Sequence, residues 1–98
     1  MALYNKVYTE VQGLSREQVI QKFELQKHEL WAMKVISSYG GKCEKDKAIA
    51  LLQTVIFNTL KITVDKNTLS KTFGSLKKKG LIYSVSNMPG WVATDIKL

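Results

Sequence analysis

Between Lys61 and Gly80 the chain carries six lysines against one acidic residue, Asp65, so most of the net charge of +7 in this 98-residue protein falls in a fifth of its length. The run Val64-Asp65-Lys66-Asn67-Thr68-Leu69-Ser70-Lys71-Thr72-Phe73-Gly74-Ser75-Leu76-Lys77-Lys78-Lys79-Gly80 has apolar residues at 69, 73 and 76. Spacings of four and three put these on one face of a helix. At 100° per residue, Asn67, Lys71, Gly74 and Lys78 fall on the opposite face, with Ser70 and Ser75 flanking it. The chemistry such a face offers is non-covalent. Ammonium groups neutralise phosphates, and an amide side chain can pair with an adenine edge. Only Arg16 among the fifteen basic residues is an arginine, so bidentate reading of guanine is scarce and contacts would be mainly to backbone. Lysine enrichment of the whole chain is an equally available reading of that bias.

No catalytic constellation accompanies this helix. The sequence has no Ser-His-Asp pattern, carboxylate pair or phosphate loop. One cysteine (Cys43) and one histidine (His28) make neither a disulfide nor a zinc site, and a lone thiol in a lysine-bearing loop reads as an exposed, incidental one. The expectation is a non-enzymatic protein without metal or cofactor. The N-terminal residues lack an apolar signal run, and the longest charge-free stretch, 48–60, is short of a membrane span. A soluble, cytoplasmic protein with no membrane partner is expected.

The elements that must position the basic helix can be read outward from it. Asp65 suits its N-cap, with Val64 as half of a hydrophobic staple, and Gly80 its terminator. Lys77 to Lys79 also complement the negative helix end, a structural role that competes with ligand contact. For Gly74, close packing against another part of the protein competes with close approach of a ligand. Upstream, Asp46 is a candidate cap for a helix from Lys47 to about Leu60, apolar on nearly every side and expected to be the most buried. It follows a charged turn, Lys42 to Lys47, and a firm stop at Tyr39-Gly40-Gly41. Ser15 with Gln18 forms a capping-box signature, and the helical pattern from Ser15 to Ser38 reads as one helix or two, since Glu24 to Glu29 carries no obvious stop. Residues 2–12 suit a helix or a strand. Downstream, Leu81–Ser86 and Trp91–Thr94 flank Pro89-Gly90, which suits the centre of a type II turn, so the segment predicts a β-hairpin.

The order helix, helix, turn, capped basic helix, glycine and hairpin resembles the winged helix-turn-helix. The local match is the run from Thr63 to Ile82, with its close Leu76-Lys77-Lys78-Lys79-Gly80-Leu81-Ile82 passing directly into a wing. It departs from the usual pattern in its long second helix and in the connection 58–64. The resemblance implies an α+β domain with a three-helix core and a C-terminal hairpin wing over residues 27–94, plus an N-terminal extension, 1–26. It implies a small transcriptional regulator of the bacterial or phage type that lays the helix 65–79 in the major groove of double-stranded DNA. Lys66, Asn67, Ser70, Lys71, Ser75 and Lys78 would be the contacts. A single such domain grips DNA weakly, so a homodimer or a partner protein is expected, with Leu3, Tyr4, Val7, Tyr8 and Val11 as a dimer surface unless they pack on the protein's own core. The rival implication is a docking module for an acidic partner such as a component of the transcription machinery, suggested by a wing tip with no basic residue.

Overall fold

The computed structural model describes residues 2–98, which form a compact α+β domain of five helices and a small three-stranded antiparallel sheet. Helix α1 (Ala2–Val11) resolves the ambiguity at the start of the chain. Tyr4, Val7 and Val11, at spacings of three and four, are all buried. Helix α2 (Arg16–Phe23) opens with the capping box: the Gln18 amide donates to Ser15 Oγ at 3.2 Å and the Ser15 amide donates to Gln18 Oε1 at 2.8 Å.

The helical stretch from 15 to 38 is not continuous. Glu24 takes a left-handed conformation (φ 52°), and the Leu25 amide closes the turn on the Ile20 carbonyl. Helix α3 (Lys27–Ser38) then starts afresh, with the Gln26 amide donating to Glu29 Oε1 at 2.8 Å. It ends at the glycine pair, where the Gly41 amide returns to the Ile36 carbonyl at 3.0 Å.

The charged segment after it is not merely a turn. Lys42–Glu44 forms strand β1, and helix α4 (Lys45–Leu60) follows without a linker. Glu44, not Asp46, occupies the N-cap position, and Asp46 lies in the first turn where its charge complements the helix end. Helix α5 (Lys66–Lys78) is capped by Asp65, which accepts from the Thr68 amide at 2.7 Å. Strands β2 (Tyr83–Ser84) and β3 (Trp91–Ala93) make the hairpin. The Trp91 amide reaches the Met88 carbonyl at 3.1 Å across Pro89 and Gly90 (φ 79°), the type II geometry. The sheet order is β1-β3-β2, with Cys43 opposite Val92 and Ser84 opposite Val92 from the other side.

One apolar core unites these parts. Ala32, Ile36, Leu52, Ile56, Leu69 and Leu76 are fully buried, and α1 contributes Tyr4, Val7 and Val11 to the same cluster. The N-terminal residues are therefore packed on the domain itself, leaving only Leu3 and Tyr8 of the five proposed dimer-surface residues exposed. The Asp95 amide donates to the Tyr4 hydroxyl, and the Tyr4 ring lies 4.4 Å from that of Tyr83, so α1 is tied to both the hairpin and the chain end. Cys43 is 3% exposed, and burial pushes its thiol pKa up, the reverse of an activated thiol.

Gly80 shows why the turn after α5 admits no side chain. Its φ is 78°, and a Cβ there would lie 2.6 Å from Val7 Cγ2 and 3.0 Å from Leu3 Cγ. The Gly80→Ala variant should lose about 1–3 kcal/mol by chemical denaturation, combining left-handed strain with displacement of α1.

Candidate nucleic-acid interface

The basic helix is held by a polar anchor that its sequence does not announce. Glu29, on α3, is a charged residue only 4% exposed. Its carboxylate accepts from the Gln26 amide (2.8 Å), from Ser75 Oγ of α5 (2.9 Å) and from Lys79 Nζ (3.0 Å). Lys79 also donates to the Glu24 carbonyl at 3.3 Å. A buried carboxylate with three donors is satisfied; with fewer it would be costly. Burial alone would raise the Glu29 pKa, but the bonds from Gln26, Lys79 and Ser75 and the Lys79 charge outweigh it and hold the carboxyl below its ordinary 4.5.

This anchor sorts the sequence-predicted residues. Ser75 is half-buried with its hydroxyl committed to Glu29, so it leaves the outward set, a correction to the helical projection, which cannot tell a flanking serine that faces water from one that bonds inward. Ser70 is also half-buried. Lys79 turns inward as an ion-pair partner, whereas Lys77 and Lys78 stay exposed. Lys66, Asn67, Lys71 and Lys78 are exposed together on α5. Among the described residues none of these lysines takes part in an ion pair. At the helix start, bonds from the Thr68 hydroxyl and amide lower the Asp65 pKa, so the one nearby carboxylate is engaged in capping.

Gly74 stands between Lys71 and Lys78 on the exposed side, and a Cβ built on it would meet nothing within 4 Å. Close packing against another part of the protein is thus excluded as the reason for this glycine. It lies in the interior of a 13-residue helix, where glycine costs about 1 kcal/mol relative to alanine. The result is a basic strip with a flat place in its middle.

The position of that strip depends on two further contacts. Gln53 Nε2 of α4 donates to the Val64 carbonyl at 2.9 Å, fixing the approach to the Asp65 cap. Leu69, Phe73 and Leu76 are each at most 1% exposed, so the inner face of α5 is fully used. In the hairpin no Lys or Arg stands between Gly80 and Lys97, and Trp91 is half-buried on β3 opposite Glu44. Among the described residues there is no cluster of three metal-ligating side chains, and no helix long and apolar enough to cross a membrane.

Comparison with protein-family models, with curated proteins and with solved structures finds no match to this chain.

Two outcomes follow from the anchor and the glycine. Because the folded pKa of Glu29 is depressed, its contribution to stability is full above the unfolded value and declines as pH falls through the folded one. Urea titrations should therefore show Glu29→Gln losing about 1–3 kcal/mol at pH 7, with the gap to the native protein narrowing below the ordinary carboxylate range. By contrast, Gly74→Ala should raise stability by about 1 kcal/mol in the same assay.

Proposed function

We propose that this domain binds double-stranded DNA as a winged helix-turn-helix, with α5 lying in the major groove and the β2–β3 hairpin as its wing. The observation that carries the reading is the outward face of α5, where Asn67, Lys71, Gly74 and Lys78 are exposed along one side while the inner side is locked into the core. An α-helix fits the major groove, and a rigidly seated one can present side chains to base edges. Asn67, in the first turn of the helix, is the candidate for direct reading of adenine. Lys66, Lys71 and Lys78 are the candidates for phosphate, with Lys77 beside them. Gly74 supports the same reading, since a helix that forgoes a Cβ in open space gains closeness to whatever lies against it. The succession of α3, α4, α5 and hairpin supports the resemblance, which is drawn without strand β1. A small transcriptional regulator is the role that fits such a domain.

The affinity should be chiefly electrostatic. Four phosphate contacts give a slope of log K against log salt of about −3.6, a loss of about a hundredfold between roughly 50 and 200 mM salt. Fluorescence anisotropy with a mixed-sequence duplex should show this fall. Lys71→Glu combined with Lys78→Glu should abolish most binding and reduce the slope by about 2. Gly74→Ala, though more stable, should bind several-fold more weakly. Absence of binding at the lowest salt, or a double mutant that binds like the native chain, would sink the proposal.

A further inference from the structure

Exposed large apolar residues are ordinary when scattered, but here they cluster. Of the six such residues among those described, Phe57, Leu60 and Ile62 fall within six positions, at the end of α4 and just past it, at 50%, 40% and 48% exposure. Phe57 and Leu60, three apart, share a helix face. The helix stops where Lys61 adopts a left-handed conformation (φ 59°), its amide donating to the Phe57 carbonyl at 2.8 Å. The chain then folds back beside α4: Phe57 and Thr63 line one shallow depression with Gln53 and Thr54, and Gln53 pins the Val64 carbonyl. The surface is therefore pre-shaped, with a hollow beside Phe57 whose other walls, Gln53, Thr54 and Thr63, are polar, and no need to order a loop on binding.

We propose that this end of α4, centred on Phe57, Leu60 and Ile62, is a docking surface for an acidic amphipathic helix of a partner protein. Charge selects the occupant. No Asp or Glu stands between Lys47 and Val64, and exposed Lys61 and Lys66 flank the apolar residues. The nearest carboxylate in the chain, Asp65, caps α5 through the Thr68 amide, and the two lysines outnumber it. A second copy of this chain would bring Lys61 and Lys66 against their own kind, between two bodies each of net charge +7. A helix with apolar residues on one face and carboxylates beside them meets both features at once. This surface lies on α4 and the connection and shares only Lys66 with the proposed phosphate contacts, so the proposal does not rest on DNA binding, and the Phe57, Leu60 and Ile62 changes separate the two.

The test uses the full chain, isotope-labelled, titrated by NMR with a synthetic amphipathic helix bearing Leu on one face and Glu elsewhere. Amide shifts should centre on Thr54 and residues 57–64. The Phe57→Ser/Leu60→Ser/Ile62→Ser variant should weaken binding by about tenfold or more, as anchor residues do. Lys61→Glu/Lys66→Glu, which leaves the apolar residues intact, should weaken it too, and a peptide with Lys in place of Glu should not bind. Circular dichroism of both variants should match the native chain, since every altered side chain is exposed. The proposal is overturned if about millimolar peptide moves no amide in this region. It is equally overturned if the shifts fall only on Asn67, Lys71 and Lys78, where the peptide would merely be a polyanion. Sedimentation showing that the chain pairs with itself through residues 57–62 would replace the partner helix with a second copy.

Discussion

A carboxylate in an apolar core must be given donors, and the way Glu29 obtains them organises the domain. One oxygen takes the Gln26 amide at the start of its own helix; the Ser75 hydroxyl and the Lys79 ammonium come from the far end of α5 and the residue after it. Lys79 in turn reaches the Glu24 carbonyl, at the left-handed residue that separates α2 from α3. A single group thus joins the α2–α3 elbow, the first turn of α3 and the end of the basic helix. Apolar contacts alone tolerate small rotations of a helix about its axis, whereas hydrogen bonds at about 3 Å do not. With Ser75 and Lys79 turned inward, helical spacing leaves Asn67, Lys71, Gly74 and Lys78 turned outward. Buried ion pairs often contribute little net stability compared with apolar replacements, so what this one supplies is better read as orientation.

The same economy ties the two chain ends to the turn after α5. Gly80 passes so close to Val7 and Leu3 that α1 seats directly on that turn. Tyr4 reaches the Asp95 amide and the Tyr83 ring, while the buried Thr94 hydroxyl donates to the Leu81 carbonyl and accepts from the Ile96 amide. These contacts make the N-terminal helix a brace for the junction between α5 and the hairpin. A chain of this size has few apolar residues to spare, and its core is completed by recruiting α1 rather than by enlarging the three central helices.

What could be read from the sequence was whatever local chemistry decides. The Ser15–Gln18 box, the Asp65 cap, the Leu69-Phe73-Leu76 stripe, the Gly80 stop and the Pro89-Gly90 turn all rest on interactions within a few residues, and each is present. The misreadings come from long-range contacts. Strand β1 is three residues of Lys, Cys and Glu, which look like a charged turn until β3 arrives to pair with them. Burial of Cys43 follows from that pairing. The break at Glu24 lacks a glycine, and its cost is carried by Leu25 packing and by Lys79 from far along the chain. Ser75 seemed to flank the outer face because spacing alone does not reveal a buried acceptor on another helix. The α4 segment looked the most buried of the helices because its hydropathy does not distinguish Ala48 and Leu52, at 0% exposure, from Phe57, at 50%.

The hairpin bears on how the proposed roles fit together. Its tip carries no lysine or arginine, so a wing in the minor groove would add little electrostatic grip. Under the DNA reading, affinity then falls to the lysines of α5, and a handful of phosphate contacts gives weak binding at physiological salt. Base discrimination by Asn67 alone would then contribute about 1–3 kcal/mol, too little to select one site in a genome. A DNA reader of this kind would need a second point of attachment. Joining a modest DNA contact to a modest protein contact multiplies their effects through local concentration, without either surface becoming strong. The apolar end of α4 lies just before α5 in the chain, and a partner held there by Lys61 and Lys66 would leave Asn67, Lys71 and Lys78 free. That arrangement would give a physical reason for the protein to leave Phe57, Leu60 and Ile62 in water while every other large apolar side chain of α3, α4 and α5 is half-buried or buried.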